Sequence, residues 1–162
     1  MECFDFLFPP PLAEAEIRVL DGEAAGRIIR VRFVLKTFRL AKENEFDPVS
    51  APGLNGEPLQ FVRGRARALT TVLHFDGRAT GTDVRQPMRD VTSLMNVDRD
   101  THAPPALSFE WTGFSLRCVL ERSVAESFRS LFPDGRPSSG RMRVAFRESR
   151  TIEELLEESR RE

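Results

Sequence analysis

Between residues 102 and 148 the chain reads as strands and turns in unbroken succession. His102-Ala-Pro-Pro-Ala-Leu-Ser-Phe-Glu-Trp111 leads to a break at Thr112-Gly113. Phe114 to Leu131 follows as one long run, Phe132-Pro-Asp-Gly-Arg-Pro137 makes a turn, and Arg141-Met-Arg-Val-Ala-Phe-Arg-Glu148 alternates again. Apolar residues at every second position mark a half-buried strand, and Pro-Asp-Gly supplies the backbone angles of a tight turn. Propensity alone allows a helix through residues 121–128. The shared parity of Phe114, Leu116, Cys118, Leu120, Val124, Phe128 and Phe132, interrupted by Arg122 and Glu126, favours a long, bent strand instead. The turn at 133–135 and the alternation of Met142, Val144 and Phe146 then complete a hairpin.

The rest of the chain agrees with a β-rich fold. Ala15–Leu20 is a short strand ending at Asp21-Gly22. Ile28–Lys36 places Ile29, Val31, Phe33 and Leu35 on one face, with Arg30, Arg32 and Lys36 on the other, as expected for an antiparallel strand. Residues 38–46 form a further extended segment and residues 48–58 a loop. Arg65–Asp76 is apolar on both faces, as in a central strand, and stops at Gly77. Thr82–Val97 is the internal helix: Val84, Met88, Val91, Leu94 and Met95 form one stripe. Thr82 or Asp83 is its cap, and Pro87 falls in the first turn. Thr151–Glu162 reads as a charged helix capped by Thr151 or Ser149. The fold class is therefore mainly β (α+β), an antiparallel sandwich or barrel-like pair of sheets with one packed helix and a C-terminal helix. Residues 1–14 form an N-terminal arm, 15–150 the β domain and 151–162 a charged tail. In the arm, Phe4, Phe6 and Phe8 alternate, which suits an edge strand.

With 162 residues and 40% hydrophobic content the chain builds one real core. Acids and bases are interspersed, and the net charge of −1 gives no argument for nucleic acid or an anionic membrane. Arginine dominates the cations, Lys36 and Lys42 being the lysines. Arg30, Arg32, Arg65, Arg67, Arg141, Arg143 and Arg147 fall on outward strand positions, where ion pairing between subunits explains them better than nucleic acid. Cys3 and Cys118 make no disulfide framework, and both are expected as reduced thiols. The N-terminus is apolar but acidic, short and closed by three prolines, unlike a signal peptide. No run approaches the roughly 20 apolar residues of a membrane span. The expectation is synthesis in the cytoplasm and no direct membrane insertion.

Catalytic patterns are weak throughout. His74 and His102, with Cys118 or Asp100, do not fall at zinc-site spacing. Asn96 to His102 lacks the glycine and distal glutamate of a calcium loop. No Gly-x-Ser-x-Gly elbow or glycine-rich phosphate loop occurs, and the glutamate pairs of residues 153–158 lie on an exposed helix. Trp111 is read as a core or interface anchor. No cofactor and no metal is expected, and an enzyme ranks behind the other readings.

Several motifs carry a resemblance. Phe75-Asp76-Gly77 ends a strand. An amphipathic helix follows, then His102-Ala-Pro-Pro-Ala-Leu-Ser-Phe-Glu-Trp111, a long strand, Phe132-Pro-Asp-Gly-Arg-Pro137, and a last strand closing in Phe146-Arg-Glu148. In order and spacing this resembles the tube-type proteins of contractile injection systems, over most of residues 15–150. The resemblance implies a structural subunit of a phage-tail-like particle, in the inner tube or linking the tube to the spike or baseplate, built inside a bacterial cell. It implies a ring of like subunits, six-fold by the family, with tube, spike and baseplate proteins as partners. Two departures stand out. The family commonly has Trp-Gly where this chain has Trp111-Thr-Gly113. Members often carry a C-terminal LysM module, which this sequence, ending at Glu162, lacks.

Two function classes follow from these readings. The first is the structural subunit, whose contact residues are expected at the end of the long hairpin: Arg129, Asp134, Gly135, Arg136 and Arg141. The second is a small β-barrel module that binds a ligand or carbohydrate, centred on Trp111.

Overall fold

The computed structural model describes residues 11–161. The Phe4–Phe8 alternation and Cys3 lie outside the described residues. In chain order the elements are β1 (Leu12–Val19), β2 (Ile28–Val34), a 3₁₀ turn at Leu35–Thr37, β3 (Arg39–Ala41), β4 (Asn44–Pro48), β5 (Leu59–Gly64) and β6 (Ala68–Asp76). Then come α1 (Arg85–Thr92) with a 3₁₀ turn at Ser93–Met95, β7 (Leu107–Trp111), β8 (Phe114–Leu131), β9 (Pro137–Glu148) and α2 (Ile152–Ser159). The fold is mainly β and antiparallel, as the alternation indicates.

Seven strands form one sheet in the order β2-β1-β7-β8-β9-β6-β3, and β2 also pairs with β6. That extra pairing, Arg32 with His74 and Phe33 with Leu73, closes six strands into a barrel. The same edge of β6 pairs further along with β3, through Thr70, Leu69 and Ala68. β6 is thus flanked on both edges, which its two apolar faces foretold.

The inward positions fill the barrel. Ile17, Phe33, Leu69, Leu73, Leu107, Phe109, Leu116, Cys118, Val144 and Phe146 are buried there. Phe109 packs on Phe146 with ring centroids 5.5 Å apart and edge-on to Phe33 at 6.0 Å. Each fully buried aliphatic or phenyl side chain contributes about 1.5–3 kcal/mol, an upper figure for an unfolded chain that is already partly compact. α1 joins this core through Val84, Met88 and Val91, followed by Leu94 from the 3₁₀ turn. The stripe is as expected, but the helix is shorter. It starts at Arg85 because the Asp83 carboxylate accepts from the Arg85 backbone N–H at 2.9 Å, and it tightens into the 3₁₀ turn after Thr92.

β8 is one continuous strand of 18 residues, but its alternation is not the single parity read from sequence. Its register against β9 shifts between Leu120 and Arg122, between Ala125 and Ser127, between Phe128 and Ser130, and again between Ser130 and Leu131, where the skipped residue is Ser138 of β9. Glu121, Glu126 and Arg129 are the residues left unopposed. Each such bulge reverses the facing of the residues beyond it. Leu120 opposes inward Phe146, whereas Val124 opposes outward Arg143 and Ala125 opposes inward Met142. Two bulge residues are acids that reach β9 arginines: Glu121 to Arg147 at 3.1 Å and Glu126 to Arg143 at 2.7 Å.

The segment from 38 to 64 departs most from expectation. The single extended stretch of 38–46 is two strands, β3 and β4, and β5 is an additional strand that among the described residues pairs only with β4. β4 and β5 form a separate two-stranded hairpin around a loop at 49–58. β1 begins at Leu12 rather than Ala15. α2 is capped as expected: Thr151 Oγ1 accepts from the Glu154 N–H while the Glu154 carboxylate accepts from the Thr151 N–H.

Candidate assembly interface

The five residues expected to make contacts do not form one cluster. Phe132 to Arg136 close the β8–β9 turn, with the Gly135 N–H donating to the Phe132 carbonyl at 2.9 Å and the Phe132 N–H to the Arg136 carbonyl at 2.8 Å. Gly135 takes φ of 89°, which favours glycine. Asp134 and Arg136 are occupied with each other: the Arg136 Nε lies 2.6 Å from Asp134 Oδ2, and its guanidinium sits 5.2 Å from the Phe132 ring centroid. The Arg136 backbone N–H and guanidinium hold the Asp134 carboxyl below the usual carboxylate range. The foot of this turn is fixed to the body, because the Gly77 N–H donates to the Ser138 carbonyl and the Val84 N–H to the Pro137 carbonyl.

Arg129 and Arg141 are different. Arg141 stands opposite His74 on β6 and Ser127 on β8, and Arg129 is an unopposed bulge residue. Neither has a carboxylate within 4 Å among the described residues. The Arg141 Nε and the His74 Nδ1 are both buried without a hydrogen-bond partner among the described residues. Burial lowers the His74 pKa, and the cations of Arg141, Arg129 and Arg78 lower it further against the opposing effect of Asp76. The other outward arginines pair within the chain instead of being held for a neighbouring subunit. Arg30 pairs with Glu16, Arg32 with Glu14, Arg65 with Glu45 and Arg67 with Glu148.

The residues weighed for chemistry are occupied structurally. Cys118 is fully buried in the barrel, and burial pushes its thiol up to about 12, so it is neither a nucleophile nor a ready thiolate ligand. His74 belongs to the outer face. Asp98 accepts backbone N–H groups from Glu23 at 2.9 Å, Asp100 at 2.8 Å and Thr101 at 3.4 Å, which organise the loop and lower its pKa. Among the described residues no group of three or more His, Cys, Asp or Glu is placed to hold a metal ion. Trp111 is half-buried, packed at 5.2 Å against both Phe33 and Phe38. An open hollow of about 730 Å³ runs beside it, lined by Glu14, Glu16, Arg30, Arg32 and Glu110 as well as Trp111. Its acids face Arg32, Arg30 and Arg18 at 3.3, 3.5 and 3.7 Å.

Two sequence motifs have structural reasons. A Cβ on Gly77 would lie 2.9 Å from the Thr82 carbonyl carbon and closer still to its oxygen, so only glycine fits after Phe75-Asp76. Glu148 clamps the ends of β6 and β9. It accepts from the Arg67 backbone N–H at 3.1 Å, the Arg67 guanidinium at 2.9 Å and Arg150 at 3.2 Å. Burial raises its pKa, but these bonds outweigh that and hold it down at about 2.

What the sequence did not indicate is the state of the strand edges. β7 pairs with β8 only as far as Cys118, so among the described residues β8 from Val119 to Leu131 is hydrogen-bonded on one side alone, to β9. That edge carries Val124, Phe128 and Leu131 in exposed positions. The family model of the contractile injection system tube protein matches residues 16–157. No curated protein matches the chain.

Proposed function

Because the chain belongs to the contractile injection system tube protein family, we propose that it is a ring-forming subunit of the inner tube, or of the junction between the tube and the spike or baseplate. The observation that carries this reading is the β8 edge. A bare strand edge of that length with exposed apolar side chains invites pairing with another chain, and soluble proteins normally cover or blunt it. A closed ring covers it in every subunit. The ring is six-fold, its neighbours are the tube, spike and baseplate proteins of the same particle, and assembly takes place in the bacterial cytoplasm. Among the described residues no helix is long and apolar enough to cross a membrane.

In this reading the end of the β8–β9 hairpin meets the adjacent layer. Arg141 supplies a cation there, and Asp134, Gly135 and Arg136 supply a rigid tip. The test is genetic and visual. Cells lacking this chain should give sheaths or baseplates without complete tubes in electron micrographs. Complementation with Arg136→Glu/Arg141→Glu, its folding checked by circular dichroism because Arg141 is half-buried, should fail to restore full-length particles. Normal particles without the chain would refute the structural role. Normal particles with the double variant would remove only the layer contact.

A further inference from the structure

The β4–β5 hairpin has no partner within the described chain. Its strands pair only with each other, in a sheet separate from the barrel. Every residue of β5 is exposed, and so are Phe46, Val49 and Leu54, with Leu59 at 67% exposure. Phe46 and Phe61 pack on each other as a ring pair, centroids 5.6 Å apart. An isolated two-stranded hairpin is marginally stable in water, and an apolar one standing clear of its own core marks a binding element. Its charges are also incomplete. Glu45 is paired with Arg63 and Arg65, whereas Asp47 and Glu57, beside the loop, have no basic partner within 4 Å among the described residues.

The β8 edge has the complementary deficiencies. Among the described residues it offers unpaired backbone groups, the exposed apolar residues Val124, Phe128 and Leu131, and two cations, Arg122 and Arg129, without a carboxylate within 4 Å. Its bulges break the edge into short regular runs, which suit a short strand such as the six residues of β5 better than a long one.

We infer that the β4–β5 hairpin of one copy lies along the β8 edge of the next copy, with Asp47 and Glu57 facing Arg122 and Arg129. This rests on the ring reading and names the two surfaces that make the ring. A two-fold pairing of β8 with β8 covers the edge but leaves both hairpins bare. A head-to-tail contact covers both surfaces in every subunit, and its repetition closes a ring.

Charge exchange tests this. Asp47→Arg/Glu57→Arg makes both surfaces basic, and Arg122→Glu/Arg129→Glu makes both acidic. All four positions are exposed, so each variant should keep the parent's circular dichroism and melting temperature. In sedimentation velocity, each variant alone should need more than about tenfold higher concentration for half-assembly than the parent. An equimolar mixture should regain assembly, with the two variants alternating, and the fourfold variant should assemble by itself. If the parent forms rings and both variants do so equally well, the hairpin–edge contact is wrong and the ring stands. A mixture that stays as dissociated as its folded components also overturns it. A parent that remains monomeric at high concentration overturns both readings.

Discussion

Replacing Gly77 by alanine probes the joint on which the barrel, the α1 loop and the β8–β9 turn converge. The new Cβ meets main chain rather than a side chain that can swing aside: the Thr82 carbonyl, with Thr82 Cα also at 3.5 Å. Relief requires the 77–82 loop to move by more than about 1 Å. That movement strains the Thr82 N–H to Gly77 carbonyl bond, 3.2 Å, and the Gly77 N–H to Ser138 carbonyl bond, 2.8 Å. Two backbone hydrogen bonds are worth about 1 kcal/mol each, and overpacking adds about 1–3 kcal/mol. The expected destabilisation is about 3–5 kcal/mol, a large share of a small domain's stability. Urea denaturation should show the midpoint falling with the slope unchanged. Gly81→Ala is the control: its Cβ would meet nothing within 4 Å, so only the strain of its φ of 67° counts, about 1–2 kcal/mol. A Gly77→Ala protein within 0.5 kcal/mol of the parent, or no worse than Gly81→Ala, would refute the close-approach argument.

Val91→Asp places a carboxylate at a fully buried position of α1 and should cost several kcal/mol; a variant that melts like the parent would mean that the helix does not cover the core. Thr112 and Gly113 close β7 to β8 with φ of 35° and 78°, a two-residue turn in which threonine is a poor choice. Thr112→Asn should raise stability by about 1 kcal/mol in the same urea assay, and a loss would show that the threonine side chain makes a compensating contact. Glu148 is held at about 2, below its ordinary 4.5. A depressed carboxyl stabilises the fold fully above its unfolded pKa and loses that contribution as the pH falls from about 4.5 towards 2. The parent should therefore lose stability across this window, and Glu148→Gln should start lower at pH 7 and fall less steeply; parallel curves would remove Glu148 from the account.

Much of the barrel was legible because its strands have one buried face. Ile17, Val31, Phe33, Leu69 and Phe109 announce themselves by period two, and α1 by its stripe from Val84 to Leu94. β5 carries no clean alternation, because Arg63 shares the parity of Leu59 and Phe61 and Val62 that of Gln60, and no core lies behind it, so its residues had no fold to belong to. The bulges of β8 were illegible for a related reason. Glu121, Glu126 and Arg129 are ordinary surface residues in sequence, and only the β9 register shows that they are unopposed. That is why Val124 reads as inward and faces outward. Arg136 looked like a free hand because Asp134 is two residues away on a turn, and the turn folds the two together. The bare β8 edge depends on where β7 ends, a comparison between strands that no single segment carries.

The most direct test of the ring is the mass of the purified, concentrated protein, by native mass spectrometry or sedimentation equilibrium. The account predicts one closed species of fixed stoichiometry, six copies, in equilibrium with the monomer and without a ladder of intermediates. A two-fold dimer as the final state, or a strict monomer that never enters particles, would contradict it.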